Sequence, residues 1–110
     1  MGYQERRAKA IAEQAAPHLE PGEQIQTGFL AVTGGAIFNV GWWVVVTDRA
    51  ILVVRRGQAV RGPRDVLFGE PKGVYHSITL DQQYRVHRQY YPELLAADEA
   101  LRQMRSADDR

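Results

Sequence analysis

The chain has 110 residues, the length of one domain, and its 45% hydrophobic and 25% charged residues are typical of a globular protein. A formal charge of +1 excludes a strong overall attraction to nucleic acid or to an anionic membrane, and the absence of cysteine excludes disulfides, thiolate metal sites and cysteine nucleophiles. We expect residues 1–110 to form a single domain without a cofactor. We expect a cytoplasmic location, since the polar N-terminus lacks the apolar region of a secretory signal.

An amphipathic helix is predicted within residues 1–18. Small and aliphatic residues recur there at the three- and four-residue spacing of one helical face, namely Ala8, Ile11, Ala12, Ala15 and then Leu19. Pro17 ends the helix, because its ring removes a backbone donor and clashes with the preceding turn. The apolar stripe is narrow and mostly alanine, so we expect the helix to dock weakly.

The long uncharged run over residues 24–47 raises the question of a membrane helix. It has 24 residues, whereas a spanning helix needs about 20 that are mostly apolar. Within its most apolar part, residues 29–46, three glycines and Asn39 interrupt the run, and this part ends in two tryptophans and three valines, which favour β structure. We therefore predict no transmembrane segment, but buried strands joined by a turn at residues 33–35, within a β region that extends over residues 24–91.

The most distinct hairpin is predicted at residues 47–50, a polar break between two runs rich in β-branched residues. Asp48 suits such a turn, because its side chain can accept a hydrogen bond from the backbone two residues on. After this hairpin, residues 58–63 are an Arg- and Gly-rich crossing with an optional short strand at its start, and a further short strand is considered at residues 65–68.

A second hairpin is predicted from two alternating segments, residues 74–80 and 84–89. Along its second strand Tyr84 lies on one face, whereas Arg85 and His87 lie on the other. The sequence therefore predicts one core-facing and one solvent-facing side for this strand.

A C-terminal helix is predicted over residues 92–105. Pro92 suits the first helical position, Glu93 complements the positive end of the helix dipole, and one apolar stripe runs through Leu94, Ala97, Leu101 and Met104. Strands followed by one helix are typical of an α+β domain. We predict a mainly antiparallel β-sheet or partly open barrel, with an N-terminal helix and a C-terminal capping helix.

Two segments carry a resemblance to a known family. Residues 19–23, Leu-Glu-Pro-Gly-Glu, precede the first strand, and a hydrophobic strand ends in the Thr-Asp-Arg of residues 47–49 before the next strand begins. In these features the chain resembles the bacterial pleckstrin-homology-like (PH-like) domain family. The resemblance implies two antiparallel sheets packed roughly orthogonally, a C-terminal helix that caps one open end, and a binding module rather than an enzyme.

Inositol-phosphate binding is not carried over from that family. In members that bind phosphoinositides, the basic residues lie mainly around the loop that joins the first two strands. The corresponding residues 33–41 of this chain contain no Lys or Arg. The resemblance therefore supplies a fold and a general role, but no ligand.

No motif in the sequence predicts catalysis or metal binding. His76 and His87 would lie nearly opposite each other in the second hairpin, but without a third ligand we interpret them as exposed strand residues. Ser77 follows His76 directly and would point to the other face of the strand, so the two cannot pair as nucleophile and base. We predict no catalytic, cofactor-binding or metal-binding residue.

A basic surface is the first candidate for partner binding. Residues 51–91 hold seven basic and three acidic side chains, a balance of +4. Four guanidinium groups within ten residues are hard to bury, so we expect an exposed edge formed by Arg55, Arg56, Arg61 and Arg64. Arg85 and His87 add polar groups beside tyrosines, a pattern found in proteins that bind single-stranded nucleic acid.

An apolar surface is the second candidate. Ile37 and Phe38 would be exposed if residues 34–41 form a loop, and an exposed apolar patch usually marks a contact with a protein or a membrane; the alternative is that they complete the core. Our leading hypothesis is a non-catalytic binding or assembly module that contacts a protein partner or forms a homo-oligomer. The alternative is a small nucleic-acid-binding domain that uses the Arg-rich middle segment.

Overall fold

The structure is a computed structural model and describes residues 2–34 and 38–108. It begins with helix α1 (Tyr3–Ala15) and a 3-10 turn (Ala16–His18), and it ends with a second 3-10 turn (Arg88–Tyr90) and helix α2 (Tyr91–Asp108). Between them, the described residues form strands β1 (Ile25–Gly34), β2 (Asn39–Thr47), β3 (Ala50–Arg55), β4 (Gln58–Pro63), β5 (Tyr75–Thr79) and β6 (Gln83–His87). The predicted α+β class, with a helix at each end of the strands, is confirmed.

The strands form one antiparallel sheet in the order β4-β3-β2-β1-β6-β5. β1 pairs with β2 along its whole length, but its pairing with β6 is limited to Val32 opposite Arg85. The hairpin β5–β6 therefore joins the four-stranded part through a narrow seam. The sheet does not close, so β4 and β5 are its two edges. The two sheets that the resemblance implies are one hydrogen-bonded sheet here, and this open arrangement is consistent with a PH-like domain.

Both faces of the central strands are covered. The main core lies against α2 and includes Phe29, Val44, Val46, Tyr84, Leu94 and Ala97. A second core lies against α1 and includes Ile11, Ala15, Val45, Leu52 and Val54. Successive residues of β2 thus enter different cores, which explains why residues 42–46 are hydrophobic at every position rather than at every second one. In the described part of the chain, no helix is long and apolar enough to cross a membrane.

Helix α1 makes two close contacts that its narrow apolar stripe does not reveal. A Cβ atom added to Gly28 of β1 would lie 2.9 Å from Ile11 Cγ2 and 3.1 Å from the backbone oxygen of Val44, so the helix approaches the sheet where only glycine fits. Arg7 also joins α1 to α2, because its Nη2 donates to Glu93 Oε1 at 2.7 Å.

The strand considered at residues 65–68 is absent, and that prediction is wrong. Asp98 of α2 is buried and accepts the backbone N–H groups of Phe68 and Gly69 at 2.8 and 3.0 Å. A helix side chain has therefore taken donors that a strand would give to a neighbouring strand. The segment is held as a loop against α2 rather than as part of the sheet.

The predicted opposition of His76 and His87 is also wrong. The hairpin forms, but its register pairs Tyr75 with His87 and His76 with Val86. Since neighbouring residues on a strand point to opposite faces, a shift of one residue separates the two imidazoles. His76 lies on the inner face, where its Nε2 is 2.7 Å from the backbone oxygen of Phe68.

Candidate functional site

Three turns of the sheet meet at one end of the molecule, which we call the turn end. The turn from β1 to β2 lies between Gly34 and Asn39, and the turn from β3 to β4 is formed by Arg56 and Gly57. Antiparallel pairing puts both turns at the same end. The β5–β6 turn joins them, because the pairing of β1 with β6 places the start of β6 beside the end of β1. The β2–β3 turn at residues 47–50 lies at the opposite end, which we call the base.

A cleft runs along β4, between this edge strand and the β5–β6 turn, and we call it the edge cleft. It consists of two adjoining hollows of about 280 and 420 Å³, which share Val53, Val60 and Asp81 as lining residues. One hollow extends to Gly62 and the other to Gln58, so the cleft follows β4 over most of its length. The gap between the two edges of the open sheet is therefore a formed groove.

The floor of the edge cleft is apolar. Val53 and Val60 are paired across β3 and β4, Val66 adds a further aliphatic side chain, and Leu80 adds one from the wall opposite β4. Val60 is 46% exposed although it lies in the middle of an edge strand. Edge strands usually carry charges or proline at such positions, which block pairing with another chain.

Asp81 of the β5–β6 turn lines the edge cleft, and a set of linked polar and aromatic groups holds it from behind. Tyr84 donates its hydroxyl proton to Asp81 Oδ1 at 2.7 Å, and Gln82 Nε2 donates to the Tyr84 oxygen at 3.2 Å. Burial and the Asp81 hydrogen bond raise the pKa of Tyr84 to about 12, so the hydroxyl remains a donor at neutral pH. Trp42 contacts the Tyr84 ring edge-on at 5.9 Å between centroids.

Two of the predicted arginines, Arg55 and Arg56, line the turn end of the edge cleft. The Arg55 guanidinium lies 5.6 Å from the centre of the Trp42 ring, a cation–π contact that leaves its N–H groups available. Arg56 is exposed and has a φ of 52°, in the left-handed region that a tight hairpin turn requires. Within the described residues, no carboxylate forms an ion pair with either arginine.

The other two predicted arginines have different roles, so the expectation of four exposed guanidinium groups is wrong. Arg61 forms ion pairs with Glu20 at 3.0 Å and with Glu23 at 2.8 Å. Arg64 is only 7% exposed, and it donates to the backbone oxygens of Thr47 at 2.7 Å and Ala97 at 2.9 Å. Burial lowers the pKa of Arg64, but its fork of donors is used by carbonyl groups rather than by a carboxylate partner.

Arg85 and His87 lie on the outer face of β6, away from the edge cleft. Arg85 Nη2 donates to the backbone oxygen of Gly34 at 3.0 Å, and the guanidinium lies 5.6 Å from the centre of the Tyr75 ring. The His87 ring meets the same tyrosine edge-on at 5.3 Å. The expected separation of Tyr84 from Arg85 and His87 on two faces is confirmed, because Tyr84 is fully buried.

The apolar surface predicted between the first two strands is described only in part. Phe38 is 79% exposed beside the turn end, so it does not complete the core. Ile37 lies outside the described residues. The sequence pattern did not predict Val60 and Asp81 as lining residues, and the available signal was a lone valine within an Arg- and Gly-rich strand.

At the base, the two segments that carry the family resemblance bind each other. The Glu23 side chain is fully buried, and its carboxylate accepts hydrogen bonds from Thr47 Oγ1 and from Arg61 Nη2, the latter at 2.8 Å. Arg49 Nη1 donates to the backbone oxygen of Pro21 at 3.0 Å, and Asp48 Oδ1 accepts from the Gln24 N–H at 2.9 Å. Both motifs therefore hold the entry to β1 against the β2–β3 turn.

The charge of Glu23 is stabilised by this network. Burial acts to raise the pKa of the carboxyl group, but hydrogen bonds from Arg61, the Glu20 N–H and Thr47 outweigh burial and lower the pKa to about 2. The base thus contains a buried carboxylate whose donors all come from the protein, which indicates a structural role.

No group of three or more potential metal ligands occurs in residues 2–34 and 38–108. Comparisons with family models, with curated proteins and with solved structures found no match to this chain.

Proposed function

We propose that this chain is a non-catalytic binding module of the bacterial PH-like family, which takes part of a protein partner into the edge cleft. The observation that carries the proposal is the apolar floor beside the free edge of β4, where Val60 is 46% exposed. An apolar groove with a few polar groups at its rim is typical of a binding site. The absence of cysteine fits a cytoplasmic setting for this role.

The polar groups of the edge cleft support binding rather than catalysis. Tyr84 and Asp81 are the adjacent titratable pair, and Tyr84, with a pKa of about 12, keeps its proton while Asp81 accepts it as a hydrogen bond. A general base or acid works best with a pKa near neutral pH. The pair therefore orients the β5–β6 turn and is not poised for proton transfer.

A photo-crosslinking amino acid placed at position 60 tests the proposal. Val74 is the matched control position, because it is also a valine, is 50% exposed and does not line the cleft. In extract from the source cells, we expect discrete protein adducts from position 60 that position 74 does not give. Equal adduct patterns from the two positions would contradict the proposal. Sedimentation of the pure chain shows whether the chain associates with itself, and it thus distinguishes a second copy from a different protein partner.

A second candidate function, nucleic-acid binding, is supported by the outer face of β5–β6. There the exposed Tyr75 ring lies beside Arg85 and His87, an arrangement suited to base stacking and phosphate contact. Against it, the arginines of the middle segment are dispersed, with Arg61 paired and Arg64 buried. We expect oligonucleotides to bind only at about micromolar Kd or weaker.

Fluorescence anisotropy with a single-stranded oligonucleotide at increasing salt decides between the two functions. Tight binding that weakens steeply with salt and is lost in Tyr75→Ala would favour the nucleic-acid function. Weak binding that Tyr75→Ala does not change leaves the protein-binding proposal as the better one.

A further inference from the structure

We infer that the partner enters the edge cleft as an extended segment that pairs with β4 as an added strand and carries an acidic side chain at the end near Arg55 and Arg56. The inference rests on the proposed function and specifies the class of partner. Its three supports are the free edge of β4, the room in the cleft, and the charge at the turn end.

The first support is the backbone of β4. In the sheet of the described residues β4 pairs only with β3, so alternate residues present their backbone groups outward, although Pro63 at its last position has no N–H to donate. Its six residues span about 20 Å, enough to pair with a short extended segment. The other edge strand, β5, is shorter, with five residues.

The second support is the shape of the cleft. Thr79, Leu80 and Asp81 form a wall opposite β4, and the two hollows of about 280 and 420 Å³ hold several side chains rather than a second sheet. A second copy that paired through its own β4 would bring β3 directly behind that strand. A single extended segment fits this space better than a folded edge does. Its alternate side chains would face Val53 and Val60.

The third support is charge complementarity. Arg55 and Arg56 lie at the turn end of the cleft without an ion-pair partner among the described residues, whereas Arg61 at the other end is neutralised by Glu20 and Glu23. Asp81 on the opposite wall is already held by the Tyr84 hydroxyl. An aspartate or glutamate in the segment would therefore be attracted to the Arg55 and Arg56 end.

Selection of peptides on the full chain tests the inference directly. The probe is a displayed library of random peptides of about eight residues, which covers the six residues of β4 and about one further residue at each end. We expect the enriched peptides to carry aliphatic residues at alternate positions and an Asp or Glu near one end. No enrichment, or enrichment of basic peptides, would overturn the inference.

Variants of the chain then locate the binding. With the most enriched peptide, we expect Val60→Lys to raise the Kd by about tenfold or more. The matched Val74→Lys should change the Kd by less than about twofold. Val60→Ser, which adds no charge, replaces Val60→Lys if the lysine variant does not fold. Arg55→Glu combined with Arg56→Glu should reverse the preference toward a twin peptide with lysine in place of the acid. Equal effects at positions 60 and 74, or an unchanged charge preference, would count against the cleft.

Backbone pairing is tested by N-methylation of the enriched peptide, one position at a time. Strand addition predicts loss of binding at every second position, because only alternate N–H groups of an added strand face β4. If methylation has no periodic effect while position 60 still crosslinks to a partner, strand addition is wrong and the proposed function stands. If position 60 gives no specific adduct and no peptide is enriched, both fail. A dimer that Val60→Lys dissociates would assign the cleft to a second copy and overturn the inference.

Discussion

Polar side chains are in opposite situations at the two ends of the sheet. At the base, Glu23 and Arg64 are buried, and each is hydrogen-bonded by groups of the protein. At the turn end, Arg55 and Arg56 come from the same arginine-rich stretch as Arg64, yet no carboxylate in the described residues binds them. Buried polar groups need partners within the fold, whereas exposed ones remain free for another molecule. Position in the fold, more than residue type, therefore separates stability from binding in this chain.

Among substitutions at the base, removal of the Glu23 carboxylate should lower the free energy of unfolding the most. Glu23→Ala removes the buried acceptor of Arg61 and leaves the Thr47 hydroxyl with only the Ala50 carbonyl as acceptor, so we expect the free energy of unfolding to fall by about 3 kcal/mol. Urea unfolding measures the change, and Glu13→Ala on the exposed face of α1 is the control, with an expected change within about 0.5 kcal/mol. Similar losses for both variants would show that the base network does not set stability.

Low pH should weaken the hydrogen-bond network at the base of the sheet, because it protonates the Glu23 carboxylate. The Glu23 pKa is lowered from about 4.5 to about 2 in the folded chain, so the folded state favours the ionised form more than the unfolded state does. The stabilisation is therefore complete above pH 4.5 and is lost as the pH falls toward 2. Urea midpoints across this window should approach each other for the parent chain and Glu23→Gln. A constant difference between them would refute the assigned pKa shift.

Replacing an arginine with lysine at each end of the sheet compares how much the two ends contribute to stability. Arg64→Lys should lower the free energy of unfolding by about 2 kcal/mol, because one ammonium group cannot reproduce the contacts of the planar guanidinium with Thr47 and Ala97. Arg55→Lys should change it by less than about 0.5 kcal/mol. Thermal or urea unfolding of the two variants gives the comparison. Equal losses in the free energy of unfolding would mean that Arg55 contributes as much to stability as Arg64 does.

Local pattern was sufficient to predict the elements of the fold. The three- and four-residue spacing of apolar residues predicted both helices, and the polar break at residues 47–50 predicted the β2–β3 turn. The strand considered at residues 65–68 failed because Asp98, far away in sequence, takes the backbone donors of that segment. The histidine register failed because the position of the turn decides it, and one residue of shift changes the face.

The candidate site was less accessible to sequence reasoning, since it depends on contacts between distant segments. Arg64 is buried because Thr47 and Ala97 present carbonyl oxygens to it, and neither carbonyl is visible in an arginine count. The edge cleft brings Val60 together with Asp81 only because the sheet stays open between β4 and β5. Arg56 is exposed as expected, because a hairpin turn next to glycine is exposed in most sheets, whereas Arg55 at the end of β3 is half-buried.

The smallest change in stability is expected at Phe38, beside the turn end. This side chain is 79% exposed, so Phe38→Ser removes little buried surface and should leave the melting temperature nearly unchanged. Phe29 is the matched control, because the same residue type is fully buried in the main core, and Phe29→Ala should cost about 3 to 5 kcal/mol. If Phe38 also contacts the partner, Phe38→Ser weakens partner binding without changing the melting temperature. A large fall in melting temperature for Phe38→Ser would place this residue in the core and restrict the binding surface to the edge cleft.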